Sequence, residues 1–252
     1  MKYDVCTDAV FEGMDILTAM DKLYELGFSS YEFWTWWDKD LDAIRKKQEE
    51  LHMDCVAICA KFVYSTGDPA HQEDYLKDFK DSVEAAKRLG CRKIIVQAGW
   101  EVPEISHEEH RKIFMDTVKK AAPLAAAEDM MIIIEPLNIK VDHQGYNLWD
   151  TEESFDVILQ IHEPNVKILF DIYHQQISNG FIIESIKKHL DQIGHIHVAG
   201  CPGRHEITTG ELDYKHIFEA LKEMGYEEYI GLEYFTHKPK EEGLKAAQAL
   251  FV

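Results

Sequence analysis

Basic side chains are scarce in this 252-residue chain: 27 Lys and Arg stand against 46 Asp and Glu, a formal charge of −19. Duplex affinity comes largely from Lys and Arg neutralising phosphates, so this balance, with no local basic patch, argues against a nucleic-acid partner. Long apolar runs are missing as well. No stretch approaches the ~18 residues a membrane span needs, and Met1-Lys2-Tyr3-Asp4-Val5 opens into a polar strand pattern where a secretory leader would stand. Cysteine is sparse and odd in number: Cys6, Cys55, Cys59, Cys91 and Cys201 form no compact framework. Free thiols in a reducing compartment are expected, and with them a cytoplasmic address. Cys55 and Cys59 lack a second pair and read as packed thiols rather than metal ligands. The glycine-rich phosphate turn of many doubly wound sheets is absent after the first strand pattern.

Strand-like and helix-like segments alternate along the whole chain. Strand patterns cover Lys2–Val10, Ser30–Trp34, Cys55–Phe62, Lys93–Gln97, Met131–Pro136, Val166–Asp171, Gly194–Val198 and Tyr229–Tyr234. Amphipathic runs lie between them, including Met14–Leu26, Asp40–Leu51, Glu73–Leu89, Glu108–Ala127 and Thr151–Ile161. In Glu73–Leu89 the residues Tyr75, Phe79, Val83, Ala86 and Leu89 recur at helical spacing, which gives one core-facing side. Gly27 and Gly90 suit left-handed helix ends, and Asp213 suits an N-cap. Such alternation implies a parallel sheet. Eight units without a linker, at a length close to the ~250 residues usual for the fold, predict a single (β/α)8 barrel over residues 1–252. An open doubly wound sheet is the alternative.

Four apolar runs in the second half end on a polar residue: Glu135, Asp171, His197 and Glu233, spaced by 36, 26 and 36 positions. Side chains alternate across a strand, so Glu135 and Ile133 point inward, as do Glu233, Gly231 and Tyr229, with His195 beneath His197. Strand ends lie at the carboxyl face of the barrel, where active sites of this fold sit. Three inward acids repel one another unless protons or a cation compensate them. One divalent metal ion answers that requirement. Oxygen donors with one imidazole suit Mn²⁺ or Mg²⁺, with Co²⁺ and Zn²⁺ left open. Unrelated strand-end residues in salt bridges are the plain alternative. Carboxylates beside a metal suit proton transfer next to a carbonyl, that is isomerisation or epimerisation, without an organic cofactor.

The segments Ile134-Glu135-Pro136-Leu137-Asn138, Leu169-Phe170-Asp171-Ile172-Tyr173-His174, His195 to Glu206 and Gly231-Leu232-Glu233-Tyr234 resemble hydroxypyruvate isomerase. More widely they resemble the xylose-isomerase-like TIM barrels, among them ketose 3-epimerases and inosose dehydratases. The run Pro202-Gly203-Arg204-His205-Glu206 followed by Gly210 to Tyr214 is the part most specific to the hydroxypyruvate branch. The resemblance implies metal ligands Glu135, Asp171, His197 and Glu233, with Glu135 and Glu233 also the acid–base pair. It implies that His174 contacts substrate oxygens and that Arg204 holds a substrate carboxylate or hydroxyl. Two positions depart from the hydroxypyruvate branch. His197 stands where that branch usually has glutamine and the epimerases and dehydratases have histidine, and Asn138-Ile139-Lys140 stands where it tends to carry arginine.

Glu32 on the second strand and Lys61 near the end of the third are assigned to substrate binding, Glu32 alternatively to a contact behind the metal ligands, against structural ion pairs as the plainer reading. Trp34, Trp36, Trp37 and Trp100 either edge the mouth or pack loops. His143, Gly145 and Tyr146 lie in a long loop that reads as a lid or as plain surface. His205 is a candidate aid to substrate binding, and His195 reads as a hydrogen-bonded interior residue or a contact behind the ligands rather than a ligand itself. Three function classes follow. The first is a metal-dependent isomerase of a small hydroxy-carbonyl compound, hydroxypyruvate to tartronate semialdehyde, with an epimerase or inosose-type dehydratase alongside. The second is an apurinic-endonuclease-like nuclease, disfavoured because Ala60-Lys61-Phe62 and Gln97-Ala98-Gly99 lack histidine. The third is a non-catalytic metal-binding barrel. Aromatic residues near the mouth leave a homo-oligomer open.

Overall fold

Short β-branched runs bounded by turns become strands, and the amphipathic runs between them cover the outside. The computed structural model describes residues 1–251. Its strands are β1 (Lys2–Cys6), β2 (Ser30–Phe33), β3 (Asp54–Cys59), β4 (Lys93–Gln97), β5 (Met131–Glu135), β6 (Val166–Asp171), β7 (Ile193–Val198) and β8 (Tyr229–Leu232). All pair in parallel and in chain order, and β8 closes on β1 with Lys2 opposite Tyr229 and Val5 opposite Leu232. The fold is a closed (β/α)8 barrel. Among the described residues no helix is long and apolar enough to cross a membrane.

The helices are α1 (Thr7–Val10), α2 (Ile16–Glu25), α3 (Leu41–Leu51), α4 (Gln72–Leu89), α5 (His107–Ala126), α6 (Thr151–Ile161), α7 (Ile172–Ser178), α8 (Ile182–His189), α9 (Tyr214–Glu223) and α10 (Lys240–Gln248). Asp40, Asp150 and Asp213 cap α3, α6 and α9 by accepting backbone N–H bonds, satisfying donors that a helix start leaves unpaired. Gly27 and Gly90 adopt φ of +83° and +70° after α2 and α4, a conformation a side chain resists.

The first and third expected strands run clearly short, and the eighth ends at Leu232, one residue before Glu233. The first stops at Cys6, and Thr7–Val10 winds into α1 because the Thr7 hydroxyl donates to Glu32 O and the Asp8 carboxylate accepts from Trp34 N and Thr35 N. The third stops at Cys59, where Lys61 turns outward to bond Asp78 on α4 at 3.0 Å.

Strand parity divides the core into two layers. Ile132 and Ile134 of β5 join the large layer between sheet and helices, while Ile133 joins an inner cluster with Ala57, Cys59, Ile95 and Leu169. Ile230 and Leu232 likewise face the helices. Gly231 faces the lumen, since a Cβ there would meet Glu32 Oε1 and His197 Cδ2, each at 2.8 Å. All five cysteines are buried and free.

Candidate metal centre at the barrel mouth

Each of the last four strands brings one polar side chain to the same spot. One ligand atom from each of Glu135, Asp171, His197 and Glu233 lies within 4.8 Å of the other three. The four residues are 4%, 1%, 0% and 3% exposed, so their charges are compensated by one another and by their neighbours rather than by water. His197 Nδ1 is 3.4 Å from Glu233 Oε2 and 3.8 Å from Glu135 Oε1, and its Nε2 is 2.8 Å from Glu32 Oε1. Glu135 Oε1, Asp171 Oδ2 and His197 Nδ1 have no hydrogen-bond partner among the described residues. Buried polar atoms without partners are uncommon, and here three of them converge with the donor chemistry of a divalent-cation site. These residues can hold a metal ion.

The surrounding contacts fix the donors. Glu233 accepts from Trp34 Nε1 at 2.6 Å through one oxygen and pairs with Arg204 Nη2 through the other. The same Arg204 nitrogen lies 3.6 Å from Asp171 Oδ2, and its guanidinium packs over the Tyr173 and Phe235 rings. Asp171 also caps α7, accepting from His174 N at 3.1 Å. The His174 ring is oriented by Asn138, whose backbone N and side-chain Nδ2 lie 3.2 and 2.7 Å from His174 Nδ1. Two donors on Nδ1 place the proton of the neutral ring on Nε2, which has no hydrogen-bond partner and lies 3.7 Å from Asp171 Oδ2 in a residue that lines the cavity.

The electrostatics push the two glutamates apart. Burial raises Glu135, and the charge of Glu233 adds to that. Burial would raise Glu233 too, but His197 and Arg204 overcome it and hold that carboxyl well below the usual range. Asp171 is pushed up to about 7 by burial, against Arg204 and with Glu233 and Glu135. Burial disfavours charge on His197, yet Glu32 and Glu233 outweigh it and raise the ring. His174 is driven well down by burial and by Arg204, so it is neutral. Carboxyl groups with separated proton affinities are the usual arrangement for acid–base work.

A cavity of 220 Å³ opens over these groups, lined by Trp34, Phe62, Gln97, Trp100, Glu135, Leu137, His143, His174, Arg204 and Glu233. A larger groove of 540 Å³ runs between α8 and α9, far from this chemistry. Of the residues expected at the mouth, Trp34, Trp100, His143, His174 and Arg204 line the cavity. Glu32 does not. It lies below the ligands against His195 and His197. Lys61 is bonded to Asp78 and is not part of the lining. His205 faces Phe235 O and stacks on His237, and Trp36 and Trp37 pack edge to face, with Trp37 against Phe62. Lys140 caps the end of α7 through Ile177 O and Ser178 O. Tyr146 anchors its loop, donating to Glu135 O and accepting from Ala98 N.

Gln97 and Asn138 escaped sequence reasoning. Gln97 sits opposite Glu135 in the β4–β5 register, and its signal was the same as the ligands': a polar inward residue closing an apolar run. Asn138 acts through His174 and left no periodic signature.

Comparison with known proteins agrees with this architecture. A family model described as xylose isomerase-like TIM barrel matches residues 20–251. The hydroxypyruvate isomerase of Escherichia coli (strain K12) is 26% identical over 257 residues, covering 97% of each chain. A 2-oxo-tetronate isomerase of Cupriavidus necator is 32% identical over 70% of this chain and 67% of that one. A human relative, 31% identical, is matched over 65% of its own length and 70% of this chain. Among solved structures, an AP endonuclease of family 2 from Brucella melitensis superposes with TM-score 0.93 at 23% identity over 99% of both chains. The D-psicose 3-epimerase of Clostridium cellulolyticum H10 does so with TM-score 0.85 at 17% identity, over 100% of this chain and 99% of that one. These structural likenesses establish the shared barrel.

Proposed function

The chain belongs to the xylose isomerase-like TIM barrel family, and from that premise we propose that it is a metal-dependent isomerase of a short 2-oxo acid bearing a hydroxyl next to its carbonyl. Hydroxypyruvate, converted to tartronate semialdehyde, is the favoured substrate. The observation that carries this reading is the convergence of Glu135, Asp171, His197 and Glu233 beside a cavity that also holds Arg204 and His174.

A divalent cation on those four residues would polarise the substrate carbonyl and acidify the adjacent C–H. Mn²⁺ or Mg²⁺ suits the donor set, with Co²⁺ and Zn²⁺ as alternatives, and no organic cofactor is required. The chain's own side chains do the rest. Glu135 Oε1, unpartnered and of raised proton affinity, takes the proton from the hydroxyl-bearing carbon. Glu233, anchored by Trp34 and Arg204, completes the acid–base pair through which a proton returns to the former carbonyl carbon. His174 donates from Nε2 to a substrate oxygen. Arg204, packed on two aromatic rings, offers the planar fork that a carboxylate accepts. Trp34, Phe62 and Trp100 limit water at the mouth.

Arg204 favours a carboxylate substrate, and relatives named for hydroxypyruvate and 2-oxo-tetronate support that choice. His197 favours the second reading, a ketose 3-epimerase, because glutamine is usual there in hydroxypyruvate isomerases. Solvent-exchange NMR in D₂O, with Mg²⁺ and a panel of hydroxypyruvate, 2-oxo-tetronate, ketohexoses, ketopentoses and an inosose, separates them. We expect exchange at the carbon bearing the hydroxyl in one of the two oxo acids. In Glu135→Gln the rate should fall by about 10²–10⁴. Exchange confined to a ketose would select the epimerase, and none with any compound would remove the enolisation chemistry.

A further inference from the structure

Below His197 lies a buried polar layer that the proton transfer above does not use. Glu32 is 1% exposed, and His195 and Asp4 are 0% exposed. The Glu32 carboxylate stands against two rings as an ion pair without hydrogen-bond geometry: Oε1 is 2.8 Å from His197 Nε2, and Oε2 is 3.2 Å from His195 Nε2. His195 Nε2 is in turn 4.0 Å from Asp4 Oδ1. The two imidazoles stand nearly perpendicular, at 82° and 4.9 Å between centroids. Gly231 leaves room for this contact, because a Cβ there would come within 2.8 Å of both Glu32 Oε1 and His197 Cδ2.

A histidine that binds a metal presents a lone pair on one nitrogen and carries its proton on the other. In His197 the nitrogen facing Glu135 and Glu233 is Nδ1, and the nitrogen facing Glu32 is Nε2. We infer that Glu32, backed by His195 and Asp4, is a positioning residue that keeps the His197 proton on Nε2 and so presents Nδ1 to the cation. An apolar neighbour would leave the two tautomers and the two ring orientations close in energy, whereas a buried carboxylate selects one of each. The inference rests on the metal-centre reading above and extends it to a residue outside the cavity. A rival use of the layer is a second cation, since ligand atoms of Glu32, His195 and His197 also lie within 4.8 Å of one another.

Zinc-loaded protein labelled with ¹⁵N-histidine decides between them by long-range ¹H–¹⁵N correlation, without any substrate. The expected spectrum has His197 protonated at Nε2, with that proton shifted downfield, and one zinc per chain. Chelator competition should show zinc held about 10–100-fold more weakly by Glu32→Gln, with an unchanged circular-dichroism spectrum. A proton on Nδ1, a second zinc per chain, or Glu32→Gln affinity within about threefold of the parent overturns the inference. If Glu32→Gln does not fold, the spectrum of the parent protein decides alone. No zinc binding by the parent protein would overturn the metal centre together with this inference. Zinc retained at full strength in Glu32→Gln would overturn the positioning role alone.

Discussion

The two halves of the barrel interior are built on opposite principles. Under Glu135 and Asp171, strands β3 to β6 place Ala57, Cys59, Ile95, Ile133 and Leu169 in one apolar cluster, with the Lys93 ammonium of β4 bonded to Gly194 O and Glu228. Under His197 and Glu233, strands β7, β8, β1 and β2 contribute His195, Gly231, Asp4 and Glu32. The apolar cluster stabilises the barrel by close packing. The polar half holds His197 by charge and contact. Burial and Glu32 push Asp4 well up, while His197 and His195 overcome burial to hold Glu32 down at about 2. The candidate metal centre thus stands on two foundations, and substitutions should tell them apart.

The largest effect on folding is expected in the apolar half. Leu169→Ala should cost about 2–5 kcal/mol in denaturant unfolding, through lost burial and the cavity left behind. Metal affinity of the folded fraction should stay near that of the parent. A loss of affinity as large as that of Gly231→Ala would mean that the apolar layer places Asp171 as much as the polar layer places His197. Asp171→Asn comes next. In the metal-free protein the Asp171 carboxyl rises from its ordinary 3.8 to about 7. Its penalty is therefore absent below the unfolded value and complete above the folded one. In chelator at pH 8 the amide should be more stable than the acid by on the order of 2–4 kcal/mol, and the gap should close as the pH falls toward 4. A gap that does not vary with pH would show that burial does not disfavour the charge of this carboxyl. The smallest is Gly231→Ala in the polar half, about 1–3 kcal/mol of overpacking. It should carry a fall in zinc affinity that Leu169→Ala does not, measured by the same chelator competition.

Much of this arrangement is readable in the residue order, because strand parity is a local property. The inward turn of Glu135 and Ile133, and of Gly231, follows from alternation within a few residues, and the helix ends at Gly27 and Gly90 from backbone freedom. What escaped is set by tertiary partners. Lys61 looks like a strand-end residue but leaves the mouth because Asp78 and Ser82, on a helix 17 to 21 residues later, take its ammonium and its backbone N–H. Glu32 shares the parity of a mouth residue but sits one layer too low, beneath His197, and only the relative stagger of β2 and β7 decides that depth. Thr7–Val10 carries a strand-like pattern, yet side-chain bonds from the β2 end bend it into a turn of helix.

The pairing of β8 with β1 has a consequence for how the protein is made. Synthesis runs from β1 to β8, and the four donors emerge in the order Glu135, Asp171, His197, Glu233, all from the second half of the chain. A chain still on the ribosome with five strands out offers a cation a single carboxylate from this set. The fourth candidate donor appears with the strand that seals the ring, so the set is complete only when the barrel can close. Chains broken off before residue 233 lack that residue.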